Sequence, residues 1–353
     1  MQEGGGCPDP ESCAARCEVE APNLCTADPA PHHNFSHTMW ADNRENNPAF
    51  HDALRVFVPY CSSDVWTGTR EAEEETAGRH FMGKHIVRAV IGHTYYGDIF
   101  LLSLPFLRHN NSVQVKKVRK YAVEAVPDDL VTRVPAMQTI SQFVLIGASA
   151  GAFGVGFNCD AVAVQLTEAN IEAEVRCVAD GGDFYPAWLA VADCNPYSLG
   201  LAAAEFWAGQ PDLSCAQQAE DFAQCLIFPS YFQYIDTPFM VVSTYEDTSQ
   251  EVHPCTPPVG EDEQFWSEWR QEMLSLANTF ISARPESGLF LPNCPYHVAV
   301  TENNAFAWDS LPVQVVGGED TAVYRDLIHT WLEGTGTAQA LDMPDTTNPH
   351  CPY

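Results

Sequence analysis

The stretch QFVLIGASAGAFG, at residues 142–154, decides the fold that we predict for this chain. Residues 142–147 form a short apolar run typical of a buried strand, and an apolar helical pattern resumes over residues 150–166. Between the two lies Gly-Ala-Ser-Ala-Gly, with Ser149 at its centre. A serine on a sharp turn between a strand and a helix is typical of a nucleophile elbow, so Ser149 is our candidate nucleophile.

The tight turn requires glycine at both ends of this motif, because side chains at Gly147 or Gly151 would clash across it. The helix that follows directs its N-terminal N–H groups, and the positive end of its dipole, at a developing oxyanion. The backbone N–H of Ala150 is therefore one candidate donor to that oxyanion. The alternative is a glycine-rich turn in which Ser149 only caps the helix.

Outside this stretch, short apolar strands alternate with amphipathic helices. Strands are predicted at residues 54–60, 174–179 and 238–244, and helices at residues 81–93, 264–282 and 324–332. This alternation predicts an α/β fold whose mostly parallel sheet is covered by helices on both faces.

The domain organisation is predicted to be simple, with one catalytic domain over residues 1–334 and a loop-like tail over residues 335–353. Residues 1–40 are rich in Cys, Pro, Gly and His and are predicted to be irregular. Residues 187–230 hold three cysteines and several aromatic residues without clear periodicity. We interpret them as a helical cap, tied by disulfides, over the carboxyl edge of the sheet.

The candidate acid and base should follow the serine along the chain in this kind of fold. Both Glu246 and Asp247 follow the strand at residues 238–244, and position favours Asp247 with Glu246 as its competitor. His297 is the candidate base, in a loop Asn-Cys-Pro-Tyr-His that leads into an apolar run. Three other histidines fit less well, being too close to the acid, inside a helix or in the terminal loop: His253, His329 and His350.

Further oxyanion donors are expected from a glycine-rich loop early in the chain. Gly4, Gly5 and Gly6 fit this role, because glycine lets the backbone approach a substrate carbonyl closely. The alternative for these three residues is a flexible chain terminus.

Charge restricts the classes of partner. Lys and Arg number 17 and Asp and Glu number 47, so the formal net charge is −30 and excludes nucleic acids and anionic membranes as partners. No stretch approaches 18 consecutive apolar residues, so no membrane span is predicted.

Cysteine content indicates the compartment. Thirteen cysteines without CxxC pairs indicate disulfides and hence a secreted, extracellular protein. The glycosylation sequons at Asn34 and Asn110 are compatible with secretion. No secretory signal follows Met1, so we expect the recorded start to lie inside a longer precursor.

These motifs together resemble the pectin acetylesterase/Notum family of extracellular carboxylesterases. The similarity extends along almost the whole chain in the same order, and the Cys-x-x-His loop and YCSSDVW are closer to the Notum branch than to plant pectin acetylesterases. The matching motifs are EGGGC (3–7), NPAF (47–50), YCSSDVWTG (60–68), FMG (81–83), GASAGAFG (147–154), NCD (158–160), ADGG (179–182), Asp247-x-x-Gln250 and Cys294-x-x-His297.

The resemblance implies an α/β-hydrolase-like fold and a role for each matching residue. Ser149 would be the nucleophile and His297 the base. Asp247, rather than Glu246, would be the acid.

The same resemblance extends to the oxyanion hole and to two disulfide pairings. The implied oxyanion donors are Gly5, Gly6 and Ala150. Cys7 is expected to pair with Cys13, and Cys159 to lie near Cys177. Family members carry strands before the glycine-rich loop, so the first strands of the fold are expected to be missing from this sequence.

The predicted function is that of a serine carboxylester hydrolase. It would remove an O-acyl group, acetyl or fatty acyl, from an extracellular glycan or protein through an acyl-enzyme intermediate, with no metal or organic cofactor. The competing interpretation is a catalytically inactive homologue that binds carbohydrate or lipid, because Ala152 stands where the family usually has glycine. A serine peptidase on the same scaffold is a third interpretation, although no residue pattern indicates the pocket it would need. The sequence indicates no oligomeric state.

Overall fold

The fold is known from a computed structural model of the chain. The residues that it describes are 6–20, 22, 25, 38–91, 112–114, 139–182, 184–186, 196–220, 222–249, 256–257, 261–300 and 305–351. Gly5 and the asparagines of both sequons lie outside these residues. Within them, no helix combines the length and the apolar character that crossing a membrane requires.

Five strands form one parallel sheet, in the order β3-β4-β5-β6-β9. Parallel neighbours cannot be joined by a tight turn, and helices lie between them along the chain. The α/β fold that the sequence predicts is therefore confirmed. The strands of the described residues are β1 Arg55–Phe57, β2 Ser112–Gln114, β3 Gln142–Ala148, β4 Glu174–Asp180, β5 Phe239–Val242, β6 Gly288–Leu291, β7 Val313–Gln314, β8 Thr321–Ala322 and β9 Gln339–Leu341.

The helices agree with the predicted apolar periodicity where they are long. The longest, α7, begins after Asp262, whose carboxylate accepts the N–H of Phe265 at 3.0 Å, and it ends just before Pro285. The helices of the described residues are α1 Pro10–Ala15, α2 Gly83–Ile91, α3 Ala150–Glu168, α4 Pro196–Trp207, α5 Leu213–Gln218, α6 Phe228–Tyr231, α7 Glu263–Ala283, α8 Ala305–Asp309 and α9 Tyr324–Glu333.

The sheet separates two apolar cores, because alternate residues of a strand point to opposite faces. In β5, Phe239 and Val241 pack in one core, whereas Met240 and Val242 pack in the other. Helices α3 and α7 cover the first face, and α9 covers the second. Both faces of the strand are buried, which explains its continuous apolar sequence.

Five disulfides join cysteines of the described residues. Cys7 pairs with Cys13, and Cys159 of α3 pairs with Cys177 of β4, as predicted. The other three pairs are Cys17–Cys25, Cys215–Cys225 and Cys294–Cys351. Among the cysteines that the structure describes, Cys61 is the one without a disulfide.

The prediction of a loop-like tail over residues 335–353 is wrong. Gln339–Leu341 form β9, which pairs with β6 and completes the central sheet. Three residues are too few to produce an alternating apolar pattern, so the strand left no signal in the sequence. The chain beyond residue 334 is part of the sheet, whereas the remaining domain boundaries stay predictions.

Two more segments differ from the sequence-based expectation. Pro10–Ala15 form a short helix inside the segment predicted to be irregular, and its N-cap Asp9 accepts the N–H groups of Glu11 and Ser12. Strand β6 was not predicted either, because only three apolar residues follow its Gly288, too short a run to indicate a strand. Within residues 187–230, three helices and the Cys215–Cys225 disulfide are present, while 187–195 and 221 lie outside the described residues. Their role as a cap stays a prediction.

Candidate active site

Ser149 lies on a strained turn between β3 and α3. Its backbone angles are φ 54° and ψ −119°, a region that costs a non-glycine residue about 1–3 kcal/mol. An N-cap serine normally has an extended backbone and accepts an N–H of the first helical turn through its side chain. Ser149 has neither property, since its hydroxyl makes no capping hydrogen bond. Ser149 therefore does not cap the helix through its side chain.

The turn is as tight as the glycine spacing implies. A β-carbon added to Gly147 would lie 2.0 Å from the carbonyl oxygen of Gly151, closer than any two such atoms can approach. The N–H of Ser149 donates to the carbonyl oxygen of Asp180 at 2.8 Å, which holds the turn against the end of β4. Ala152, where the family usually has glycine, lies against Gly182, whose missing side chain leaves space for it.

The parallel sheet brings four loops to one edge. Ala148, Asp180, Val242 and Phe290 are register partners in one row across β3, β4, β5 and β6. Neighbouring strands are about 4.8 Å apart, so the loops that follow these residues are adjacent. The candidate nucleophile follows the first of these strands, and the candidate acid and base follow the third and fourth.

Asp247 and His297 are in hydrogen-bond contact although 50 residues separate them. Nδ1 of His297 lies 2.7 Å from Oδ1 and 3.0 Å from Oδ2 of Asp247. The carboxylate side chain is 6% exposed and the imidazole 25%, so the pair is shielded but reachable from solvent. Oδ1 of Asp247 also accepts the N–H of Ser249 at 2.8 Å, which fixes the carboxylate in the loop.

Glu246, the competing candidate for the acid, has a different partner. Its carboxylate forms an ion pair with Arg270 of α7, and Arg270 also contacts Glu263 at 2.8 Å. The neighbouring carboxylates of Glu246 and Asp247 therefore serve separate contacts, one with a helix and the other with His297.

The loop that carries His297 is held by the C-terminal segment. Cys294 forms a disulfide with Cys351, and the N–H of Asn293 donates to the carboxylate of Asp342 at 2.9 Å. The hydroxyl of Tyr245, which precedes the acid loop, donates to the carbonyl oxygen of Asp342 at 2.8 Å. The segment that the sequence predicted as a tail thus supports the loops of both candidate residues.

Asp180, at the end of β4, is the residue at this edge that sequence reasoning did not select. It is fully buried, and its carboxylate accepts the N–H of Ala299 at 2.8 Å and that of Val300 at 2.7 Å. Burial raises the pKa of Asp180 to about 7, although these two N–H groups and the nearby His297 favour the ionised form. An acidic residue directly after the apolar residues 177–179, in the ADGG motif, was the available signal.

The predicted oxyanion residues are described only in part. Ala150 is buried at the first position of α3, where the backbone N–H has no intrahelical acceptor. Gly5 lies outside the described residues. Gly6 packs against the indole of Trp207, and the next residue, Cys7, accepts the Trp207 Nε1–H at 2.7 Å. The assignment of these donors stays a prediction.

A cysteine nucleophile or a metal ion would offer alternative chemistry. Burial raises the pKa of the Cys61 thiol to about 11, which suppresses the nucleophilic thiolate at neutral pH. Within the described part of the chain, no group of three or more His, Cys, Asp or Glu side chains could hold a metal ion. The groups in contact at this edge are the imidazole of His297 and the carboxylate of Asp247, on loops that follow strands of the same sheet as the turn of Ser149.

Comparisons with known proteins agree with the motifs. A sequence profile of the Pectinacetylesterase family matches residues 1–97 and 119–352. Palmitoleoyl-protein carboxylesterase notum2 of Xenopus laevis is 26% identical over 86% of this chain and 56% of its own length. Palmitoleoyl-protein carboxylesterase NOTUM of Drosophila melanogaster is 26% identical over 84% of this chain and 39% of its own length. Pectin acetylesterase 7 of Arabidopsis thaliana is 22% identical over 100% of this chain and 82% of its own length.

The extent of these matches differs between the two kinds of relative. The chain spans between 39% and 60% of the length of the palmitoleoyl-protein carboxylesterases that it matches. The family profile, in contrast, covers the chain almost from end to end, which confirms the resemblance predicted from the motifs. This chain belongs to the pectinacetylesterase family.

Proposed function

We propose that this chain is a serine carboxylester hydrolase that removes an O-acyl group from an extracellular glycan or protein. The observation that carries the proposal is the conformation of Ser149, held at φ 54° on the turn before α3 without capping that helix. Strain of this kind persists only where the surrounding structure maintains it, and it is concentrated at functional sites. The contact between His297 and Asp247 supplies the second requirement, a base held by a carboxylate.

In the first half of the reaction, Oγ of Ser149 attacks the ester carbonyl carbon and forms a C–O bond. Nε2 of His297 takes the hydroxyl proton, while the carbonyl π electrons move to the oxygen. Asp247 accepts the Nδ1–H, which selects the tautomer with the Nε2 lone pair and stabilises the imidazolium. The tetrahedral intermediate then breaks the bond to the alcohol oxygen, which receives the proton from His297.

In the second half, water replaces the alcohol. His297 takes a proton from water as the water oxygen attacks the acyl carbon. The bond between the acyl carbon and Oγ of Ser149 then breaks, and the proton returns from His297 to Ser149. The N–H groups of Ala150, Gly5 and Gly6 would hold the oxyanion in both halves, and each such donor typically contributes about 3 kcal/mol to the transition state.

The substrate class follows from the relatives and the compartment. The relatives' names refer to palmitoleoyl-protein in one branch and to pectin acetyl groups in the other, and both acceptors carry O-acyl esters. The five disulfides favour an oxidising compartment, which supports secretion. A formal charge of −30 disfavours an unesterified anionic polymer as the acceptor.

The proposal is tested by hydrolysis of p-nitrophenyl acetate and p-nitrophenyl octanoate, with wild type and Ser149→Ala. We expect the substitution to lower kcat by about 10³-fold or more, because no other group replaces the nucleophile. A fluorophosphonate probe should label the wild-type peptide that contains Ser149. A preference for acetate would indicate an acetylated glycan as substrate, and a preference for octanoate a fatty-acylated protein.

Ser287→Ala is the control, because Ser287 is a buried serine that precedes β6 at the opposite edge of the sheet. Its activity should stay within about threefold of wild type, as expected for a residue outside the reaction. Equal low rates for wild type and Ser149→Ala would contradict the proposal and favour a binding protein without catalytic activity.

A further inference from the structure

Asp180 connects the two loops whose relative placement the proposed reaction requires. Its main-chain carbonyl accepts the N–H of Ser149 at 2.8 Å. Its carboxylate accepts N–H groups of Ala299 and Val300, which follow the proposed base by two and three residues. One residue at the end of β4 therefore contacts both the elbow and the loop of His297.

The backbone after Asp180 restricts the loop further. Gly181 has φ 60°, and a β-carbon added there would lie 2.1 Å from the carbonyl oxygen of His297. The loop of His297 thus lies directly against the backbone of residue 181. On its other side, the carbonyl oxygen of Val300 accepts the hydroxyl of Thr38 at 3.0 Å. The N–H groups that point at Asp180 are consequently held in one orientation.

We infer that Asp180 is a positioning residue, which fixes the imidazole of His297 relative to the hydroxyl of Ser149. This inference rests on the proposed function. Hydrogen bonds from backbone N–H groups to a buried carboxylate are charge-assisted and stronger than neutral ones, so they resist displacement of the loop. Displacing a reacting group by about 1 Å can lower a rate by about 10²-fold.

The charges around Asp180 give the inference an electrostatic consequence. Among the described residues, four titratable groups interact with it. His297 favours the ionised form of Asp180 and Asp247 opposes it. The buried phenols Tyr296 and Tyr324 carry no charge at neutral pH, because burial keeps their pKa values well above the usual range. With a pKa of about 7, Asp180 is partly ionised near neutral pH, and this charge stabilises the imidazolium. Removing the charge should therefore make protonation of His297 less favourable and move the acid limb of the pH profile of kcat/KM to lower pH.

The test compares Asp180→Asn with Asp160→Asn. Asp160 of α3 is a matched control: it is also buried and accepts two backbone N–H groups, those of Asp236 at 3.0 Å and Thr237 at 2.8 Å. It lies 11 residues beyond Ser149, about 16 Å along the helix axis. For Asp180→Asn we expect kcat to fall by about 10²-fold, and the acid limb to move down by about half a unit to one unit.

The control, Asp160→Asn, should lose stability without these kinetic changes. Its kcat should stay within about threefold of wild type, and the acid limb of its kcat/KM profile should not move. If both variants lose the same activity and neither acid limb moves, Asp180 has only a structural role and the inference is wrong. Ser149→Ala distinguishes failure of this inference from failure of the proposed function, because activity that survives in that variant contradicts the proposed function itself.

Hydrogen exchange on the wild type provides a test that does not depend on the variant folding. The amides of Ala299 and Val300 should be protected from exchange, because both donate to a fully buried carboxylate. Exchange of these two amides at the rate of an unstructured peptide would overturn the inference.

Discussion

The elbow around Ser149 and the loop of His297 meet at the same edge of the sheet, but they are built differently. The elbow is local: thirteen consecutive residues contain its strand, its glycines and the start of its helix. The loop of His297 depends on contacts that span 50, 57 and 119 residues: His297 with Asp247, the Cys294–Cys351 disulfide, and Ala299 with Asp180. The first is determined by short-range sterics and the second by tertiary contacts.

This difference indicates which part of the proposed site is more sensitive to substitutions elsewhere in the chain. Apart from the hydrogen bond from the Ser149 N–H to the carbonyl oxygen of Asp180, the contacts that shape the turn come from its own strand and helix, so side-chain changes elsewhere should affect it little. A loop that depends on distant contacts can move while the core stays folded, because its stabilising interactions are few and separable. Activity should therefore respond more than stability to changes around His297.

The largest expected effect comes from separating His297 from its carboxylate. Asp247→Asn leaves the side-chain shape but favours the wrong imidazole tautomer, so kcat should fall by about 10⁴-fold. Steady-state kinetics on p-nitrophenyl acetate measures it. The control is Glu246→Gln, which loses the ion pair with Arg270 and should cost about 0–1 kcal/mol of stability with little change in kcat. The reverse result would make Glu246 the acid.

A smaller effect is expected when an added β-carbon displaces the loop of His297 but leaves the donors and acceptors of its hydrogen bonds unchanged. In Gly181→Ala the new β-carbon would displace the carbonyl of His297, so kcat/KM should fall by about 10²-fold. Gly317→Ala is the matched control, since Gly317 also has positive φ, 78°, but has no atom within 4 Å of the added carbon. Both variants carry a similar backbone strain of about 1 kcal/mol, measurable by urea unfolding. Equal activities would show that residue 181 does not control the histidine.

The smallest effect on activity is expected from the disulfides. Cys294→Ala with Cys351→Ala opens a loop of sequence separation 57 and should lower the free energy of unfolding by about 4 kcal/mol. We also expect kcat to fall about tenfold, because the loop of His297 loses an anchor. Cys159→Ala with Cys177→Ala, on the side of the elbow, should lower stability by about 3 kcal/mol and leave kcat within about threefold. An equal loss of kcat in both double variants would remove the distinction between the two regions.

Much of the fold could be predicted because its main elements are long or strongly patterned. The strand at residues 142–147 and the helices beginning near residues 150 and 264 were predicted within one or two residues of their observed bounds. Strand β9 could not be predicted because three residues produce no distinct period, and β6 because only three apolar residues follow its Gly288, one fewer than in β5. The helix Pro10–Ala15 was missed although Asp9 and Pro10 form a recognisable start signal.

The sequence by itself determined the strained turn at Ser149, since the glycines, the strand and the helix that produce it are neighbours in the chain. It also limited the base to a few histidines and the acid to two adjacent carboxylates. Only the tertiary structure decided that Asp247 lies against His297 while Glu246 pairs with Arg270. The reason is physical: adjacent residues leave a loop in different directions, and the partner of each depends on strands and helices distant in sequence.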